Sequence, residues 1–417
     1  MEPLIADWLA HHARTRGEHV ACVDLGAGRW FTYRQFFDRV ARLAGAFRGR
    51  HGVGPGDRVM VVARNSTDLF EIMFAAWRIG AVFMPVDWEL NPPELGEIAV
   101  DGSPALVVVD EEFLPALPTT ARRILTRRPG DETSEYECDI ATSDPIREFS
   151  ATTLDTMNTL LYTWGTTGKP KGVIGTWRMT TAMLLQASAN AMLTSDSVGL
   201  VLAPQSQPAG LHAFATALFH AGGTVAAMAD WDPSRALRHL ADPTLGVTHT
   251  HGGPDQFQLM SRVPGVGDLT FPTLRVAGVS GGPIPADLME GCAAHGLSLT
   301  PSYGLTEAFG VTHMGAETAL RKPGASGWPT MYTEVRIADG NDALVPAGAI
   351  GEIQIKSGAV TPGYWRRPET TAAAFVDGWF RTGDLGAMDE TGLLYVAGRK
   401  PEEAVAPAAE QEAESAV

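Results

Sequence analysis

The chain reads as an α/β protein: two doubly wound sheet units followed by a small, antiparallel, barrel-like β unit. Two observations predict this. Strand and helix signals alternate from the N-terminus to about residue 305, the pattern of parallel strands joined by crossover helices. From 320 to 398 that texture gives way to short strands and Gly/Pro turns. The expected units are residues 1–150, 151–320 and 321–400, and the Ala/Glu/Pro composition of 401–417 predicts a disordered acidic tail.

In the first unit, Phe36, Phe37, Val40, Ala41, Leu43, Ala44 and Phe47 recur at helical spacing between residues 33 and 48. Residues 59–63 and 105–109 form apolar strand runs, with an apolar helix at 69–79 between them. The stretch 127–145 carries Asp131, Glu132, Glu135, Glu137 and Asp139 between prolines and reads as a surface connection. In the second unit, strands are expected at 199–202, 224–228, 245–250 and 274–279. In the third, residues 334–337 and 351–355 alternate as β-strands do.

Composition bounds the function. With 417 residues, 45% of them apolar, the chain has room for two or three globular units and a large core. No apolar run approaches the roughly 20 residues of a membrane span. The first residues lack the basic region of a secretory signal. Three scattered cysteines, Cys22, Cys138 and Cys292, argue against a disulfide framework or a metal cluster. An excess of 48 acidic over 32 basic residues disfavours nucleic acid and anionic membrane as partners. A cytoplasmic protein is expected.

The most informative segment is residues 161–172, Leu-Tyr-Thr-Trp-Gly-Thr-Thr-Gly-Lys-Pro-Lys-Gly. Its last ten positions hold three glycines, three threonines and two lysines. Backbone N–H groups, hydroxyls and ammonium groups of this kind can wrap a polyphosphate. An apolar strand run precedes it and a helical run begins at Met179, so a strand–loop–helix setting is expected. No Gly-Lys-Ser/Thr closes the loop, so it is not of the Walker type.

This segment resembles the phosphate loop of the adenylate-forming superfamily, which comprises acyl- and aryl-CoA synthetases, peptide-synthetase adenylation domains and luciferases. Further motifs of that family follow in order: residues 279–285 (Val-Ser-Gly-Gly-Pro-Ile-Pro), 302–307 (Ser-Tyr-Gly-Leu-Thr-Glu), 379–385 (Trp-Phe-Arg-Thr-Gly-Asp-Leu) and Gly398-Arg399. The resemblance covers about residues 5–400. It implies Mg²⁺-dependent use of ATP, with Thr163, Thr166, Thr167, Gly168 and Lys171 on the β- and γ-phosphates. It puts Thr306 on the α-phosphate and Glu307 on Mg²⁺, so that Thr166, Lys171, Thr306 and Glu307 form the catalytic set. Tyr303 and Gly304 would pack on adenine over a floor of Ser280, Gly281 and Gly282, with Asp384 on the ribose and Arg399 beside it. The acyl pocket would involve Gln207, His212, Ala308 and Val311.

Each residue type also has a purely structural use: Glu307 as a helix cap, Tyr303 as core, Asp384 in a turn. His249 and His251 read as core or surface histidines. Three positions depart from the family: Trp164 replaces a serine of the loop, Gln207 replaces a histidine or aromatic, and Pro401 stands at the hinge. The mobile C-terminal lid of the family is also expected to be absent. The leading expectation is adenylation of a small organic acid, aromatic or short-chain, giving acyl-AMP and pyrophosphate, with a carrier protein or separate lid-bearing enzyme as acceptor. Two alternatives stand beside it: adenylation of another oxyanion such as nitrite, and a weakened nucleotide-binding scaffold.

Overall fold

The computed structural model describes residues 7–117, 123–164 and 169–400, and the expected acidic tail lies outside them. Three sheets organise these residues. The first has six strands, in the order Ile124–Arg127, Leu106–Asp110, Arg58–Val62, Val82–Val86, Met157–Trp164 and Pro170–Thr176. The first five run parallel, and the last returns antiparallel. Strands such as Val82–Val86 are buried along their whole length, which is why they read as unbroken apolar runs.

The second sheet has nine strands. Six run parallel: Leu299–Leu305, Val276–Val279, His249–Gly252, Val198–Val201, Thr224–Ala227 and Val20–Asp24. Arg29–Thr32 extends one edge antiparallel, and Ala308–His313 with Trp328–Pro329 extends the other. The two sheets thus exchange strands across residue 150. The hairpin of residues 20–32 joins the second sheet, and the strands of residues 157–176 join the first.

The third sheet is antiparallel throughout, with Thr333–Ala338, Gly351–Ser357 and Trp379–Met388 flanked by Phe375–Val376 and Leu394–Arg399. Its core is Ile337, Ile353, Ile355 and Leu394, joined by Ala308 and Val311 of the second sheet.

Helices fill the spaces between. Tyr33–Gly49 starts with a reciprocal capping box between Thr32 and Gln35 and buries Phe36, Val40, Leu43 and Phe47. Residues 127–145 are not a plain surface connection. They contain the helix Glu135–Thr142, whose Glu137 pairs with both Arg29 and Arg39 at 2.8 Å. Nearby, fully buried Arg127 reaches Asp110 at 2.6 Å and Asp68 at 2.8 Å. Glu137 and Asp139 look solvated in sequence because their arginines lie about 100 positions away.

Candidate functional site

The carboxyl ends of the parallel strands in the second sheet open onto one cavity of about 270 Å³. Ligands collect at such strand ends because the chain must turn away there, leaving loops and backbone dipoles exposed. Ser280 and Gly281 leave the end of Val276–Val279, and Ser302 to Thr306 continue from Leu299. The helix Trp177–Ala191 supplies one wall with Met183, Gln186, Ala187 and Asn190, which share a helical face. Ala209, Ala213, Phe214, Val276 and Phe309 make much of the rest apolar.

Three histidines line this chamber, His212, His251 and His313. His251 hydrogen-bonds through Nε2 to Ser280 Oγ at 3.1 Å, and burial pushes its imidazole down to about 4. Burial pushes His212 down to about 3, and its ring packs 5.0 Å from that of Phe309. The Thr216 hydroxyl donates to the Leu211 carbonyl at 2.7 Å, so it accepts from His212 Nδ1–H at 3.2 Å. That fixes the tautomer and leaves His212 Nε2 as an acceptor. His249 by contrast is core, bonded to Thr248 Oγ1 and the Ala191 carbonyl.

Beside the cavity lie two polar clusters. Tyr303 donates its hydroxyl to Asp384 at 2.6 Å, and Arg399 holds the other Asp384 oxygen at 2.8 Å. Burial and then the Asp384 charge push the Tyr303 phenol well above its ordinary range. In the second cluster, the Tyr364 hydroxyl donates to Glu307 at 2.9 Å and its ring lies 4.8 Å from the Lys171 ammonium. Burial followed by Glu307 pushes that phenol up as well.

The residues from Thr361 to Trp365 lock the second cluster onto the strand Pro170–Thr176. Ile174 N–H donates to the Gly363 carbonyl at 3.1 Å, Trp365 N–H to the Gly172 carbonyl at 2.8 Å, and Thr361 Oγ1 to the Ile174 carbonyl at 2.7 Å. Gly172 is required by this approach. A Cβ there would meet Leu160 Cδ1 at 2.8 Å and Trp365 Cβ at 3.3 Å.

The likeness to known proteins agrees with this geometry. The model of the AMP-binding enzyme family matches residues 9–365. The chain belongs to that family. It is an ATP-dependent adenylate-forming ligase of the acyl-CoA synthetase kind. Over 396 residues it is 33% identical to a feruloyl-CoA synthase of Amycolatopsis sp, covering 95% of this chain and 78% of that one. A 2-succinylbenzoate–CoA ligase of Geobacillus kaustophilus is 30% identical, over 94% of this chain and 77% of its own. The inhibitor-bound N-terminal domain of FACL13 from Mycobacterium tuberculosis aligns with a TM-score of 0.88 at 27% identity, over 96% of this chain and 100% of that one. ATP-bound MatB from Rhodopseudomonas palustris gives 0.85 at 26% identity, over 96% and 79%.

In this AMP-binding enzyme the expected residues fall into several groups. Gln207, His212, Ser280, Gly281, Tyr303, Gly304 and Thr306 share the cavity wall. Asp384 and Arg399 reach it through Tyr303. Thr163 and Lys171 face each other as register partners where the loop's hairpin begins and ends. Thr166, Thr167 and Gly168 lie outside the described residues, as does the Trp164 side chain. Gly282 is exposed and does not line the chamber.

Two expectations are corrected. Ala308 and Val311 do not line the pocket; both are buried in the core of the third sheet. Gly310, at a left-handed φ of 57°, breaks the alternation of its strand, so Phe309 and Gly310 turn to the cavity instead. The loop is also not followed directly by a helix: Pro170–Thr176 forms an antiparallel strand first, hidden in sequence by Gly172 and Gly175. Sequence reasoning assigned no role to Tyr364 or Gln186. Their partners lie far along the chain, Glu307 being 57 residues from Tyr364, and no local spacing signals them.

Proposed function

We propose that this enzyme joins a small organic acid, aromatic or short-chain, to the α-phosphate of ATP, releasing pyrophosphate. The observation that carries the reading is that one apolar chamber of about 270 Å³ is continuous with the segment Ser302–Thr306 and the turn at Ser280. Ligand cavities run from roughly 300 Å³ upward, so the chamber suits a compact acyl group better than a long alkyl chain. Similarity to a feruloyl-CoA synthase supports an aromatic acid.

In this reading Tyr303 and Gly304 cover the adenine above Ser280, Gly281 and Gly282. Asp384 takes the ribose hydroxyls, and Arg399 orients that carboxylate. Thr163, Thr166, Thr167, Gly168 and Lys171 hold the terminal phosphates, and Thr306 the α-phosphate. Glu307 fits Mg²⁺ held jointly with phosphate: it offers a hard oxygen ligand, and the described residues contain no group of three acidic, histidine or cysteine side chains able to cage a metal alone. The ion would neutralise phosphate charge. The chain's own contribution is alignment of carboxylate and α-phosphate, with charge matched along the leaving group. Gln207 and neutral His212 border the acyl group. CoA and an acyl-carrier protein are both proposed as acceptors; the name of the related ligase ScoC from Streptomyces coeruleorubidus specifies the latter.

The test is coupled detection of pyrophosphate from Mg-ATP with aromatic acids, short aliphatic acids and nitrite. Release with one acid class supports the reading. Release with nitrite alone would move the reaction to a different oxyanion. Silence throughout, with AMP still bound, would leave a nucleotide-binding scaffold.

A further inference from the structure

The helix wall of the cavity contains an acceptor with nothing to accept. Gln186 is only 2% exposed, and its Nε2 donates to the Met331 carbonyl at 3.0 Å and to Thr333 Oγ1 at 2.7 Å. A backbone carbonyl can only accept, so the amide cannot be turned over and Oε1 must face the other way. That oxygen is buried without a partner among the described residues. Its neighbour across the wall is Gly310, where a Cβ would stand 3.8 Å from Oε1, and both residues line the chamber. A second buried atom of a residue lining the chamber, His251 Nδ1, is also unpartnered among the described residues.

A buried acceptor without a donor is costly, and a hydrocarbon ligand in the chamber would leave that cost in place. A ligand hydroxyl or amine would remove it. The orientation of the Gln186 amide is fixed before any ligand arrives.

Resting on the acid-adenylation reading, we infer that the acyl group carries a hydrogen-bond donor, a hydroxyl or amino substituent on a ring or short chain, received by Gln186 Oε1. Gln186 is then a specificity residue. A site built to pair a substrate hydroxyl rejects the analogue lacking it far more strongly than a plain apolar pocket rejects a change of one methylene.

The experiment compares hydroxycinnamic and hydroxybenzoic acids, ring isomers included, with their unsubstituted and methoxy counterparts as substrates for pyrophosphate release by the unaltered protein. The methoxy group fills space and accepts but cannot donate. The expected result is that at least one hydroxylated isomer exceeds both counterparts by about tenfold or more in kcat/KM. In Gln186→Leu that ratio should fall to about two, the loss being larger on the hydroxylated acid than on either counterpart. Equal use of hydroxy, methoxy and unsubstituted acids overturns the inference. So does an equal loss on all three in Gln186→Leu, which would make Gln186 only a strut between helix and third sheet. If no acid turns over, the adenylation reading itself has failed. Calorimetric binding of the same acids with AMP present then decides the donor preference alone.

Discussion

Tyr364 donates its hydroxyl to the Glu307 carboxylate at 2.9 Å, across 57 residues of chain. The same ring lies 4.8 Å from the Lys171 ammonium, so one aromatic side chain stands between the residue proposed for the metal and the lysine of the phosphate loop. Charge and ring attract in such a pair, and the hydroxyl orients the carboxylate. Tyr364→Phe keeps the ring and removes the orienting bond. The expected effect is a three- to tenfold rise in KM for Mg-ATP, equivalent to about 1 kcal/mol, with little change in the KM for acid. An unchanged magnesium titration would contradict it.

Tyr303, Asp384 and Arg399 should act as one unit on the nucleotide. Asp384→Asn is expected to weaken AMP binding by about tenfold, and Tyr303→Phe by less. Because the two touch, the double variant should lose less than the sum of the single losses. Calorimetric titration of AMP into all four proteins gives the coupling directly, and strict additivity would count against it.

The close approach at Gly172 predicts a local failure. In Gly172→Ala the new methyl meets Leu160 and Trp365, whose Cβ cannot swing away. Overpacking of this kind costs about 1–3 kcal/mol. The strand should part from residues 361–365, moving Tyr364 from Glu307. Activity is expected to fall more than the melting temperature does, and a fully active variant would refute the tie between these segments.

Stability should depend on pH through the cavity histidines. Burial holds His212 at about 3 and His251 at about 4, against 6.5 unperturbed. Above pH 6.5 neither state binds a proton and nothing is lost. As pH falls below 6.5 the unfolded chain takes up protons that the folded chain refuses, so stability drops steadily toward pH 4. Melting curves from pH 7.5 to 4.5 should show this loss. It should be shallower in His251→Gln, and parallel curves would remove His251 as a contributor.

The buried ion pairs make a separate prediction. Burial pushes the Asp68 carboxyl up, but Arg127, Arg29 and Arg39 together bring it below its ordinary value. Its stabilising contribution is therefore present above about pH 4 and lost as pH falls lower. Arg127→Met leaves Asp68 and Asp110 buried without their shared cation, at a cost of about 3–5 kcal/mol. Urea unfolding at pH 7 measures it, and a midpoint near that of the parent would show that the network relaxes.

Much of the architecture was legible because it rests on local pattern. The helix at 33–49 and the strands near 58, 106, 198 and 224 follow directly from apolar spacing and buried runs. The motifs around Ser280, Tyr303 and Asp384 were legible as short strings, and folding brings them within a few side chains of one another. What stayed hidden depends on partners distant in sequence. Glu137 reads as solvated until Arg39 covers it. Ala308 and Val311 read as pocket until the turn of Gly310 rotates them into the β core. Gln186 reads as one polar residue in a helix until Met331 fixes its amide.

The most direct test of adenylate formation is exchange of labelled pyrophosphate into ATP, with and without acid, because it needs no acceptor and reports only the reversible first step. Exchange that requires a small organic acid and collapses in Lys171→Ala and Glu307→Gln is the predicted result. Exchange absent with every acid, or undiminished in both variants, would contradict the account.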